Sequence, residues 1–178
     1  PPCPVGYPYG TIPLWCKGGT RLQDNIIVKP SVEKQFDRFL RQGRVLFFSA
    51  PCGFGKTAVA EALLTSREVL RLSADSAGFK LPSAEADWQI LLLDDLQDMQ
   101  EEQDWNALCE LIRACPERRF VLLSRGTPPG SLMAFQYTGL MSVLEADDLL
   151  FDADEVRRLL RLYGVDAADS EIDGILKE

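Results

Sequence analysis

The run Ala50-Pro51-Cys52-Gly53-Phe54-Gly55-Lys56-Thr57 constrains this chain more than any other stretch. It follows an apolar, strand-like segment, Val45-Leu46-Phe47-Phe48, and precedes a helix-like one, Ala58-Val59-Ala60-Glu61-Ala62-Leu63-Leu64. Strand, Gly-rich turn and helix in that order bring the free N–H groups and the positive dipole end of the helix to the turn. Gly53 and Gly55 let further backbone N–H groups converge on one point without Cβ obstruction. Such an arrangement cradles phosphate oxygens. Lys56 is then expected to reach the β- and γ-phosphates of a nucleotide, and the Thr57 hydroxyl to take a place on Mg²⁺. Pro51, Cys52, Gly53, Phe54, Gly55, Lys56, Thr57 and Ala58 make up the expected nucleotide-binding stretch. Ala50, a small residue, stands where the general pattern has its first glycine.

With 178 residues, of which 46% are hydrophobic, the chain has material for about one domain with a sizeable core. A formal net charge of −8 would repel a nucleic-acid backbone from most of the surface, so DNA is not expected as a partner of this piece. No run approaches the about eighteen apolar residues that span a membrane, and no signal segment opens the chain. Five cysteines without Cys-x-x-Cys spacing, and no histidine, argue against zinc and for reduced thiols in the cytoplasm. Cys109 and Cys115 fall in an apolar helical stretch and are expected in the core. Cys52 reads either as a reactive thiol near Lys56 or as a small residue that fits the loop. The chain starts with Pro1 and ends mid-pattern, so it reads as a piece of something longer.

Residues 1–24, rich in Pro and Gly, read as an irregular arm. Ile26-Ile27-Val28-Lys29-Pro30 is a short apolar lead-in, with Ser31 as the expected N-cap of a helix closed by Gly43. Strands are expected at 45–49, 69–73, 89–93, 120–124 and 141–145, with helices between them except over 74–86, whose small and polar residues read as a loop. Strand-helix alternation predicts an α/β fold, a parallel sheet of about five strands sandwiched between helical layers. Asp152 and Glu155 make a capping-box start for a helix over 153–163, ended by Gly164, and Ser170 opens one more. Residues 25–147 are expected to form the main domain and 148–178 the start of a helical subdomain.

Gln89-Ile90-Leu91-Leu92-Leu93 runs straight into Asp94-Asp95, a strand buried on both faces that ends in two acids. Downstream of a phosphate loop, Asp94 is expected to serve the Mg²⁺ and Asp95 to polarise an attacking water. Ser124-Arg125 ends the next strand and faces the same crevice, where Arg125 would sense a γ-phosphate. Arg118-Arg119, at the opposite edge, reads as a solvated pair, and Arg157, Arg158 and Arg161 as a solvated helical face. Val28 and its neighbours either wall an adenine or simply pack.

The segments Ile-Ile-Val-Lys-Pro, Leu-Phe-Phe-Ser-Ala-Pro-Cys-Gly-Phe-Gly-Lys-Thr, Leu-Leu-Leu-Asp-Asp and Val-Leu-Leu-Ser-Arg-Gly-Thr-Pro-Pro resemble the nucleotide-binding domain of MalT-like, large LuxR-type transcriptional regulators. Those belong to the signal-transduction ATPases with numerous domains (STAND), P-loop NTPases in which Ala at the position of Ala50 is usual. The resemblance covers about residues 25–163. It implies a slow ATP/ADP switch, with Lys56 and Arg125 joining Asp95 in catalysis and Thr57 and Asp94 on the metal. It also implies self-association of the full-length ATP-bound protein, and DNA binding through a C-terminal domain beyond residue 178. Two other readings stand beside it. A small P-loop kinase of a metabolite would want an Arg-rich lid, and residues 74–86 contain no Arg. A non-hydrolysing nucleotide-binding module would make less use of the Asp94-Asp95 pair.

Overall fold

The computed structural model describes residues 26–176, so the expected N-terminal arm lies outside the described residues. Five strands form: β1 (Val45–Ser49), β2 (Val69–Ser73), β3 (Ile90–Asp94), β4 (Arg119–Ser124) and β5 (Met141–Glu145). Every pairing is parallel, and the sheet order is β2-β3-β4-β1-β5. The helices are α1 (Pro30–Gln42), α2 (Lys56–Leu64), α3 (Glu102–Ala114), α4 (Met133–Tyr137), α5 (Ala146–Leu149), α6 (Ala153–Leu162) and α7 (Asp169–Ile175).

The continuous apolar runs of the central strands explain the layering. Successive side chains of a strand point to opposite faces, so a run apolar at every position must be covered on both. Val45 and Phe47, Leu91 and Leu93, and Phe120 and Leu122 pack with Leu108 and Ile112 of α3 and Phe135 of α4. Their alternates Leu46 and Phe48, Ile90 and Leu92, and Val121 and Leu123 pack with Phe36 and Phe39 of α1, Val59 and Leu64 of α2, and Leu149 of α5. The result is a three-layer α/β sandwich.

Local chemistry shifts several boundaries. Pro30, not Ser31, opens α1, because its fixed φ suits the first helical position and Lys29 takes the N-cap. Gly43 does close α1, but at φ −86° rather than in the left-handed region. A Cβ there would lie 3.1 Å from the Phe39 Cα, a tight contact that favours the glycine. Asp152 and Glu155 form the expected capping box on α6. After α6, Gly164 at φ 73° and the bonds Gly164 N–H to Arg161 C=O and Val165 N–H to Leu160 C=O make a Schellman ending. α7 starts at Asp169, one residue before Ser170, with Ala168 at its N-cap. α5, which the sequence reading did not anticipate, straddles the expected domain boundary after residue 147.

The arginines depart most from expectation. Arg118 lies over the Trp88 ring at 4.3 Å, and Arg119 donates to the Leu40 carbonyl at 3.3 Å, tying the end of α1 to β4. Neither is a solvated surface charge, because buried Trp88 needs a lid and the α1 carbonyl a donor. Arg157 turns toward α7 and pairs with Asp154 and Asp169, whereas Arg158 and Arg161 stay exposed.

Candidate functional site

The C-terminal ends of β1, β3 and β4 meet at one edge of the sheet. β1 leaves into α2 on one face and β3 into α3 on the other, and a crevice opens where such connections diverge. The phosphate loop, Asp94-Asp95 and Ser124-Arg125 all sit at that edge.

Within the loop, Gly53 and Gly55 have φ values of 91° and 74°, and Gly55 is the N-cap of α2. No atom lies within 4 Å of a Cβ built on either, so left-handed backbone rather than crowding demands the glycines. No hydrogen bond among the described residues takes up the N–H groups of Gly53 or Gly55. α2 carries no acid in its first turn to neutralise its N-terminal dipole. Pro51, Cys52 and Ala58 are exposed, and Phe54 is half-buried against the core. These features fit an anion with several oxygens.

Lys56 is 9% exposed, and its ammonium donates to the carbonyls of Ala50 at 2.6 Å and Pro51 at 2.9 Å. Burial holds its pKa below the ordinary lysine value, against the opposing pull of the Asp94 carboxylate. The Thr57 hydroxyl donates to Asp94 Oδ2 at 2.7 Å. Asp94 Oδ1 accepts the Asp95 N–H at 2.7 Å. Thr57 and Asp94 therefore put two oxygen donors side by side. Mg²⁺ suits such a pair, since it takes its remaining ligands from waters and phosphate. Among the described residues no group of three or more His, Cys, Asp or Glu forms a metal cage.

Asp95 is the one described residue besides glycine with positive φ, at 55°. This turn swings its carboxylate away from Asp94 and toward three donors. The Ser73 hydroxyl stands 3.0 Å from Asp95 Oδ2 and 2.6 Å from Asp75 Oδ1, and its single proton serves one of them at a time. Gln97 Nε2 donates to Asp95 Oδ1 at 3.0 Å, and Arg125 Nη2 lies 3.8 Å from the same oxygen. Gln97 also reaches β4, where its Oε1 accepts the Arg125 N–H at 3.2 Å. Ser73 and Gln97 were not among the residues expected from sequence. The register pair Ser73 with Asp94 could have flagged the first. For Gln97 the only signal is its place just after the acids.

Val28 is not bonded to this constellation. It is half-buried against the core beside α1, and its neighbour Ile27 lines a hollow of ≈ 270 Å³ with Arg158, Arg161 and Leu162. Lys29 bonds the Leu150 carbonyl at 2.5 Å and lies 3.7 Å from the buried Glu155 carboxylate, joining the lead-in segment to the start of α6. The Cys109 thiol is buried, and its pKa is pushed up accordingly. No helix among the described residues is long and apolar enough to cross a membrane.

No protein-family model matches the chain, and no curated protein matches it. Solved structures do. AMPPCP-bound DnaA from Aquifex aeolicus superposes with a TM-score of 0.58 at 18% identity, over 86% of this chain and 58% of that one. The Holliday junction branch migration motor RuvB of Thermotoga maritima gives 0.56 at 17% identity, over 85% and 56%. A Walker-type ATPase of Pyrococcus abyssi gives 0.58 at 13% identity, over 86% and 63%. The chain thus spans less than two thirds of each of these proteins. At such identities the likeness extends to the fold, and this chain has the α/β fold of the P-loop nucleoside triphosphatases.

Proposed function

We propose that this chain is the nucleotide switch domain of a multidomain bacterial LuxR-type transcription regulator, binding ATP or ADP with Mg²⁺ and hydrolysing ATP slowly in the cytoplasm. The Thr57–Asp94 contact of 2.7 Å carries the reading, because it unites the phosphate loop and the acidic strand end into one metal-ready pair. In this reading the loop N–H groups from Cys52 to Ala58 hold the phosphates and Lys56 moves from the loop carbonyls to phosphate oxygen. Thr57 and Asp94 hold the metal, Asp95 polarises the water, and Arg125 meets the γ-phosphate. Val28 borders the base. The regulator assignment rests on the motif resemblance and carries two further parts: self-association of the full-length ATP-bound protein, and DNA binding by a domain outside this chain. Residues 25–147 then form the catalytic unit and 148–178 the start of the helical subdomain that responds to it.

Thermal unfolding with ATP-Mg, ADP-Mg and GTP-Mg tests the site. A ligand at a hundred times its Kd adds about 2.7 kcal/mol to stability. An adenine-selective shift that Lys56→Ala abolishes is expected, and no shift with any nucleotide would overturn the reading. A second reading, a module that retains nucleotide without turnover, draws on the Asp95 carboxylate, which already has Ser73 and Gln97 as hydrogen-bond partners. Single-turnover assays separate the two: phosphate release that Asp95→Asn stops supports the ATPase, and its absence the module.

A further inference from the structure

We infer that Gln97 is a positioning residue that makes Asp95 and the Arg125 turn respond together to the third phosphate of a nucleotide. The inference rests on the nucleotide site proposed above and adds a residue to it. Gln97 stands on the single 3-10 turn Leu96–Asp98 that follows β3, and it is the one side chain described with a bond to both strand ends. Its amide can face only one way. The Nε2 side meets two acids, Asp95 Oδ1 at 3.0 Å and Asp98 Oδ2 at 3.2 Å, which need donors. The Oε1 side meets the Arg125 N–H at 3.2 Å, which needs an acceptor. No other residue type offers a donor pair and an acceptor at that reach in one neutral group. Because Asp95 sits in strained left-handed backbone, its carboxylate direction depends on such external bonds. The Arg125 guanidinium, 57% exposed and 3.8 Å from the same carboxylate, is the mobile end of the pair. A γ-phosphate that draws the guanidinium away from Asp95 loads the Arg125 backbone, and Gln97 transmits that load to the acid.

Binding of AMPPCP-Mg and ADP-Mg to wild type, Gln97→Met, Gln97→Glu and Arg125→Ala, by calorimetry on the folded chain, tests this. Gln97→Met keeps the volume and loses all three bonds. Its AMPPCP-to-ADP affinity ratio is expected to fall about tenfold, with ADP affinity unchanged. Gln97→Glu keeps the acceptor for Arg125 but opposes Asp95 with a like charge, so it is expected to lower the ratio at least as far. An unchanged ratio in Gln97→Met, or equal weakening of both ligands, overturns the inference, the second because it marks a merely structural role. A wild-type ratio indifferent to Arg125→Ala also overturns it. If wild type binds neither nucleotide, the nucleotide site itself falls, an outcome distinct from all of these.

Discussion

Lys56 concentrates the electrostatics of the site in one side chain. Its folded pKa lies below the ordinary 10.5, chiefly through desolvation. The unfolded chain then binds more protons at this residue than the folded one between the two values, so its contribution to stability rises with pH across that window. Phosphate on the ammonium favours the charged form, so nucleotide affinity runs the opposite way and falls as pH approaches 10.5 from below. ADP-Mg affinity should therefore fall in wild type as pH rises toward 10.5 and stay level in Lys56→Arg, whose charge does not titrate there. An equal drop in both would rule Lys56 out as the cause. Asp95→Asn makes the complementary case. Asn also tolerates left-handed backbone, so denaturant unfolding should change by less than about 0.5 kcal/mol, while turnover falls about a hundredfold. The glycines, Lys56 and Thr57 were legible because they are contiguous and their spacing is itself the chemistry. Ser73 and Gln97 were not, because strand register and the Asp95 turn decide what they touch.

At the scale of the element, apolar runs bounded by turns were enough to locate β1, β3 and β4, since strands covered on both faces tolerate no polar interruption, whereas β2 and β5 carry Arg71 and Ser142 among their apolar residues. The four residues of α5 carry no period, and nothing short of the tertiary fold announces them. Arg118 and Arg119 looked solvated because charge was the only local cue, and the indole and carbonyl that hold them come from distant segments. Two substitutions probe elements whose endings depend on single residues. Gly43→Ala drives a methyl group onto the Phe39 backbone and should cost about 1–3 kcal/mol in urea unfolding. A loss within error would mean that the α1 ending can shift at no cost. Asp152→Ala removes the bond from the Glu155 N–H and should cost about 1 kcal/mol.

Across the whole molecule, Lys29 is the link that sequence order conceals. It ties the segment before α1 to the Leu150 carbonyl and to Glu155, so the lead-in and the start of α6 are held as neighbours. Glu155→Gln removes the negative charge that faces the Lys29 ammonium at 3.7 Å and should destabilise the fold by about 2 kcal/mol in thermal unfolding. No effect would show that the pair is not part of what holds α6 in place. The phosphate loop has a final consequence. By bonding its lysine to the Ala50 and Pro51 carbonyls, it keeps its shape on its own. A guest then exchanges one set of oxygens for another and freezes little chain, so the entropy of ordering is spent at folding rather than at binding. On the proposed function, a loop ordered in advance engages its nucleotide without waiting for the chain to fold around it.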